Sequence, residues 1–312
     1  MAVLSFTTRL YYRLRWLIPR RGQIGLRRLR ARLLMPRWRD RWPIDPASSR
    51  KPDHWTGWPE GRQFALVLTH DVELTRGCER CERVADMEER LGFRSSFTLV
   101  PERYPIRPEM RHDLARRGFE IAIHGLKHDG KLYSSRRVFR ERAARINEYL
   151  KAWNAVGFRS PYMHHNLDWI HDLDIEYDAS TFDVDPFEPQ PAGVGTIFPF
   201  WKADAASGRG YVELPYTLPQ DLTVFVMMRN RSIDIWQRKL EWIAEQGGMA
   251  LLLVHPDYMN FGSSAMQCDE YPASLYEDFL RHVHERYAGR YWQALPREVA
   301  RFWAQNYRTG GR

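Results

Sequence analysis

Residues 64–73 read FALVLTHDVE. The first six form a short, continuous apolar run of the kind that a parallel strand buried on both faces requires. A polar cluster, His70-Asp71-Val72-Glu73, follows immediately. An apolar strand that ends abruptly in titratable side chains is the arrangement by which a parallel sheet delivers chemistry to the ends of its strands.

Similar runs recur along the chain at 95–100 (SSFTLV), 119–123 and 249–254. Helical patterns separate them. They fall at about 77–91 and 109–117, then in a longer stretch beginning at Ser134 or Ser135, either of which suits an N-cap. That stretch places Phe139, Ala143, Ile146, Leu150 and Trp153 on one face. Further helices are expected at 233–245, 274–287 and 296–306. Strands alternating with helices predict an α/β protein built of parallel β/α units, and 312 residues accommodate a barrel.

The formal charge of +8 suggests nucleic acid until it is located. Residues 1–45 hold twelve arginines, no lysine and two acids, a net +10, whereas the rest of the chain carries 35 basic and 37 acidic residues, a net −2. The sequence therefore divides into an Arg-rich amphipathic segment, 1–45, and a nearly neutral body, 46–312, joined by a passage rich in Pro and Ser. In the segment, Phe6, Leu10, Leu14 and Leu17 recur at the helical period, and Leu26, Leu29 and Leu33 repeat the pattern beyond Pro19. Apolar stripes set among arginines, with Tyr11, Tyr12 and Trp16, suit an anionic membrane surface. The competing reading packs the stripe on the body. Nucleic acid is set aside because no recognisable nucleic-acid fold accompanies the basic stretch.

Three cysteines cannot build a disulfide framework, which favours a reducing compartment. Cys78 and Cys81 lack the second ligand pair of a structural zinc site and read as small half-buried side chains on a helix. No apolar run is long enough to span a bilayer, and arginines interrupt any secretory signal, so a cytoplasmic location is expected, peripheral on the inner face of the membrane.

The chemistry concentrates after four strands or loops: Thr69 to Glu73, His124 to His128, Arg159-Ser160-Pro161-Tyr162, and His255-Pro256. Two imidazoles four residues apart can face one ion, and an added carboxylate completes the two-His-one-carboxylate set of a hydrolytic metal site. Asp71 and Glu73 alternate along a strand end and so point in similar directions. One could bind metal while the other accepts a proton from water.

In this order the motifs resemble the polysaccharide deacetylase family, the NodB-homology carbohydrate esterases. The resemblance covers about residues 60–260 and implies a distorted (β/α) barrel of seven or eight units, preceded by the basic segment. It implies a metal-dependent hydrolase that removes an N-acetyl group from an amino sugar of a polysaccharide or its precursor. The usual first motif is Thr-Phe-Asp-Asp-Gly; here it reads Thr69-His70-Asp71-Val72-Glu73, similar to an Asp-x-Asp variant, with Asp71 as base and Glu73 in place of the metal-binding Asp. His124 and His128 match the second motif as metal ligands. Arg159, Pro161 and Tyr162 match the third: the Arg steadies the base, and the Tyr162 N–H serves the oxyanion. Leu252 and His255 match the last, with His255 as catalytic acid. For the Asp that tunes this His the choice is Asp178, with Asp183 and Asp185 as rivals. Zinc is the expected ion, cobalt or manganese being compatible with the same donors. His70, His164 and His165 crowd the same face, and at most one of the adjacent pair 164 and 165 should line the site. Phrases such as HGLKHDG and ELPYTLPQD also resemble deacetylase-like proteins of bacterial surface-polysaccharide synthesis. Two other classes fit the same residues: a hydrolase of cyclic amides or imides, and a sugar-binding module that has lost its metal.

Overall fold

The computed structural model describes residues 18–204, 208–262 and 265–308. The expected helix through Phe6, Leu10 and Leu14 lies outside them. The described residues open with α1 (Arg20–Trp38). The body then runs β1 (Phe64–Val72), α2 (Thr75–Arg90), β2 (Ser96–Leu99), α3 (Pro108–Arg116), β3 (Glu120–His124), α4 (Arg136–Trp153), β4 (Gly157–Arg159) and β5 (Tyr177–Asp178). It continues with β6 (Phe200–Ala203), β7 (Gly210–Glu213), a π-helical turn at Leu222–Met227, α5 (Asp234–Gln246) and β8 (Met249–Val254). The chain finishes with β9 (Met259–Asn260), β10 (Tyr271–Pro272), α6 (Ser274–Tyr287), β11 (Tyr291–Gln293) and α7 (Pro296–Asn306).

All nine residues of β1 are buried, as its apolar run requires. The strand pairs with β8 on one side over 65–70, and on the other with β11 over 64–66 and β2 over 69–72. From β2 the sheet continues in parallel through β3, β4, β5 and β7, and β6 pairs with β7 in antiparallel. The curl closes where the chain leaving β7 meets β8: the Thr217 and Leu218 N–H groups donate to the Leu251 carbonyl, and Leu218 bridges Leu252 in parallel. The result is the expected distorted (β/α) barrel, with β8, β1, β2, β3, β4, β5 and β7 forming the ring.

The helices form where periodicity and caps place them. Ser135 accepts the Val138 N–H at 3.2 Å to start α4, and Asn154 ends it in the left-handed conformation. The buried face of α4 carries the expected Phe139, Ala143, Ile146 and Leu150. In α1, Ile24 and Ala31 turn inward, Arg20 pairs with Asp269 at 2.8 Å, and Arg28 and Arg30 donate to backbone carbonyls of the barrel. Leu26, Leu29 and Leu33 face outward. No helix among the described residues is long and apolar enough to cross a membrane.

Candidate active site

The C-terminal ends of β1, β3, β4 and β8 converge at one end of the barrel. There Asp71, Glu73, His128, Tyr162 and His255 line a cavity of about 610 Å³, which α1 walls on one side. The β1 end is fixed from beneath. Thr69 donates to the Leu252 carbonyl at 3.0 Å, and the buried Asp257 carboxylate accepts the Glu73 and Leu74 N–H groups, each at 2.8 Å, at the entry to α2. The turn after β3 depends on Gly125. It has φ +61°, and a Cβ there would lie 2.4 Å from Pro161 Cγ, so only glycine lets the His124–His128 loop pack on the Arg159–Tyr162 loop. Non-glycine residues with positive φ cluster here: His128 (50°), Tyr162 (60°) and Met163 (53°). Such backbone costs about 1–3 kcal/mol per residue and persists where surrounding contacts impose it, commonly at functional sites.

Glu73, His124 and His128 each offer a donor atom, and all three atoms lie within 4.8 Å of one another. His124 Nδ1–H donates to the Arg159 carbonyl at 3.1 Å, which leaves Nε2 as the lone-pair nitrogen. That buried atom has no hydrogen-bond partner, an arrangement a cation would complete. His128 Nε2 lies 3.0 Å from Glu73 Oε1, whereas its Nδ1 faces Arg103 Nη1 at 2.9 Å. An ion on His128 Nε2 requires the Nδ1–H tautomer, for which Arg103 keeps its bond to the His128 carbonyl (2.6 Å). Burial pushes the Glu73 carboxyl up, but His128, His255 and His124 hold it well below the usual carboxylate range. The donor set thus fits a divalent ion, with Glu73 ionised and His124 Nε2 available.

Asp71 is held differently. Arg159, fully buried, donates to Asp71 Oδ1 at 2.9 Å, to Thr69 at 3.0 Å and, through Nε, to the Ala179 carbonyl at 2.7 Å. Thr98 donates to the same Asp71 oxygen. Burial raises the Asp71 carboxyl, but the charges of His124, Arg159 and His255 with the Thr98 bond bring it down to about 2. The carboxylate therefore stays ionised through the neutral range, with Oδ2 directed to His124 Nε2 at 3.7 Å.

The partner of His255 is Asp221, and this corrects the expectation of Asp178. Asp221 Oδ1 takes His255 Nδ1 at 2.7 Å, while Oδ2 accepts the His255 backbone N–H at 2.7 Å and the Tyr271 hydroxyl at 3.0 Å. Burial lowers the imidazole, but Asp221, Glu73 and Asp71 raise it to about 9, so His255 carries a proton at neutral pH. Asp178 instead accepts from Ser180 and lies beside Glu213; burial raises both carboxyls. Neither rival reaches His255: Asp183 pairs with Lys239, and Asp185 accepts from Tyr216 at 2.9 Å. A signal for Asp221 does exist in the sequence, since a lone acid directly before the apolar LTVFVMM must be buried or paired.

The extra histidines separate. His70 is buried away from the cavity, bonded to Glu88 at 2.7 Å and stacked on Phe97. His164 packs against the Tyr162 ring, and His165 is tied to Met163 and Gln190, so neither borders the main cavity. Cys78 and Cys81 face Met110 and the Gly77 carbonyl on α2.

No family model matches the sequence. No curated protein matches it either. Solved structures do. The chain superposes on a protein from Mycobacterium smegmatis assigned as a polysaccharide deacetylase with TM-score 0.64 and 18% identity, covering 84% of this chain and 97% of the other. A protein from Pseudomonas aeruginosa PAO1 with the same assignment gives 0.59 and 15% over 80% and 94%. Puue allantoinase gives 0.61 and 15% over 80% and 93%. Fold and site together define a curled (β/α) barrel with a His/His/carboxylate cluster at its open end. Its fold is that of the polysaccharide deacetylases, as the ordered motifs lead one to expect.

Proposed function

We propose that the protein is a metal-dependent deacetylase that hydrolyses the N-acetyl group of an amino sugar in a polysaccharide or its precursor. The observation that carries this reading is the division of roles around the cavity: a low-pKa carboxylate, a protonated histidine and a three-donor cluster with an unpartnered nitrogen. The assignments of the neighbours from M. smegmatis and P. aeruginosa support the same reaction class. Glu73, His124 and His128 would hold the ion, zinc by preference and cobalt or manganese as substitutes, and when bound it would polarise the acetyl carbonyl and acidify water. Asp71, oriented by Arg159, takes the proton of the attacking water as its oxygen bonds to the acetyl carbon. The Tyr162 N–H supports the oxyanion. His255 then protonates nitrogen as the C–N bond breaks, leaving acetate and a free amine. Residues 1–45 would hold the barrel at the anionic inner face of the membrane, a reading supported by the outward leucines of α1.

Puue allantoinase shares the fold, so cleavage of a cyclic amide is the competing chemistry. Assaying N-acetylated oligosaccharides and a cyclic ureide side by side separates the two. Acetate release without ring opening supports deacetylation; ring opening with no acetate from any sugar rejects it.

The protonated form of His255 is the working form, so kcat/KM should fall as pH rises through about 9. A histidine raised in the folded state stabilises the fold fully below its ordinary 6.5, and that contribution also disappears as pH passes about 9. Asp221→Asn removes the main raising influence. Its pH–rate profile should show the alkaline limb shifted toward 6.5 or below, and an unshifted limb would assign that titration to another group.

A further inference from the structure

The two faces of α1 meet different surroundings. Ile24 and Ala31 are buried against the barrel, and Arg27 and Arg30 stand on the cavity wall. Leu26, Leu29 and Leu33 are 47%, 54% and 67% exposed. Their spacing aligns them in one stripe, flanked by the exposed Arg32 and Arg39 on one side and Arg30 and Arg37 on the other. Among the described residues, the remaining exposed large hydrophobic side chain is Met266, close in sequence to Cys268, whose carbonyl takes Arg28 at 3.0 Å. Exposed apolar surface is thus concentrated on α1 and beside it. A leucine stripe between arginines complements a bilayer with anionic headgroups.

Leu26 belongs to both faces, because it also lines the cavity. A membrane in contact with the stripe therefore borders the cavity mouth. The adjoining wall carries several cations: Arg30 donates to the carbonyls of Phe187 and Glu188 at 2.6 and 3.2 Å, and Arg103 to the carbonyl of His128 at 2.6 Å. The hydrogen-bond acceptors of Arg30 and Arg103 are neutral groups. Glu188, which lines the same wall and is bonded to Tyr216 and Gln220, is a carboxyl that Arg27 and Arg30 face together, so two guanidinium groups outnumber it there.

Building on the deacetylase reading above, we infer that the substrate is an amino sugar joined through phosphate to a membrane lipid. The sugar enters the cavity, the phosphate meets Arg27 and Arg30, and the lipid stays in the bilayer on which Leu26, Leu29 and Leu33 rest. One helix then sets both where the enzyme sits and which end of the substrate it grips.

The test uses the full-length, zinc-loaded protein and three carriers of N-acetylglucosamine. These are a polyprenyl diphosphate in vesicles of phosphatidylglycerol and phosphatidylcholine, a soluble nucleotide diphosphate, and a neutral chitotetraose. The lipid-linked sugar should be turned over with kcat/KM at least about tenfold above chitotetraose, the scale of one added Arg–phosphate contact. Arg30→Gln should reduce that ratio. Leu29→Ser/Leu33→Ser, at positions outside the cavity lining, should abolish flotation with vesicles and lower turnover of the lipid-linked sugar about tenfold, because each leucine loses its apolar burial in the interface. Chitotetraose equal to or better than the lipid-linked sugar, preference for the nucleotide-linked sugar regardless of vesicles, or flotation unchanged by the double substitution would each overturn the inference. Ring opening of a cyclic ureide without acetate from any carrier would instead reject the deacetylase reading itself.

Discussion

Asp71→Asn should retain bound zinc and lose turnover by about 10²- to 10⁴-fold, the usual contribution of a positioned general base. The carboxamide keeps the shape of the side chain, so Arg159 and Thr98 still find an oxygen at Oδ1. What disappears is the anion that takes a proton from water. His124→Ala should behave oppositely. It removes one of three clustered donors, including a nitrogen without another partner, and metal should fail to bind at all. Metal content by mass spectrometry, measured beside acetate release, separates the two roles. Loss of metal in both variants would mean that Asp71 is a ligand and that Glu73 takes the base position.

The largest expected effect on stability lies away from the cavity. Lys239 and Asp183 are buried, with Lys239 Nζ donating to both the Asp183 carboxylate and the Pro43 carbonyl. Lys239→Met leaves a carboxylate and a carbonyl in the interior without their donor and should cost about 3–5 kcal/mol, the usual consequence of removing one partner from a buried pair. Asp183 supplies a further check. Burial already lifts its carboxyl to about 6 against the pull of Lys239, and without the lysine it rises further. The protonated acid is easier to bury, so the loss should be greater at pH 8 than at pH 5. Urea unfolding at both pH values measures it, and Lys239→Met/Asp183→Leu should recover most of the deficit. A loss that is equal at both pH values would mean that the lysine acts through packing on Trp242 (4.7 Å) rather than through its charge.

Much of this architecture is legible in the sequence where a physical signal is strong and local. The runs at 64–69 and 249–254 are unbroken because β1 and β8 are buried on both faces, and the six helices expected in the body lie within a few residues of where periodicity places them. His124, His128, Arg159 and His255 can be read because each follows a strand and so reaches the same open end. The strands β4 to β7 are two to four residues long, too short for an alternation to register. Asp221 escapes for a different reason. It is 34 residues from His255, at the N-cap of a π-helical turn, and three other acids between 178 and 185 stand in better-looking surroundings. Which acid meets the histidine is set by barrel closure between the 214–221 segment and β8, a long-range event that no local pattern reports.

The Leu26, Leu29 and Leu33 pattern is visible in the sequence, but its direction is not. Periodicity places the three on one face without saying whether that face meets protein or solvent. The structure turns Ile24 and Ala31 inward instead, because the small alanine and the isoleucine let the helix approach the barrel while the leucines stand outside.

Metal-dependent hydrolysis of an acetamide is tested most directly by one titration of products. The purified protein is stripped with chelator, reloaded with one equivalent of zinc and given N-acetylated amino-sugar substrates, while acetate and free amine are counted together. The expected result is no release from the stripped protein and, after reloading, acetate and amine appearing in equal amounts at a rate that follows bound zinc. Release that persists in the stripped protein, or a zinc-loaded protein that frees neither product while opening a cyclic ureide, would contradict it.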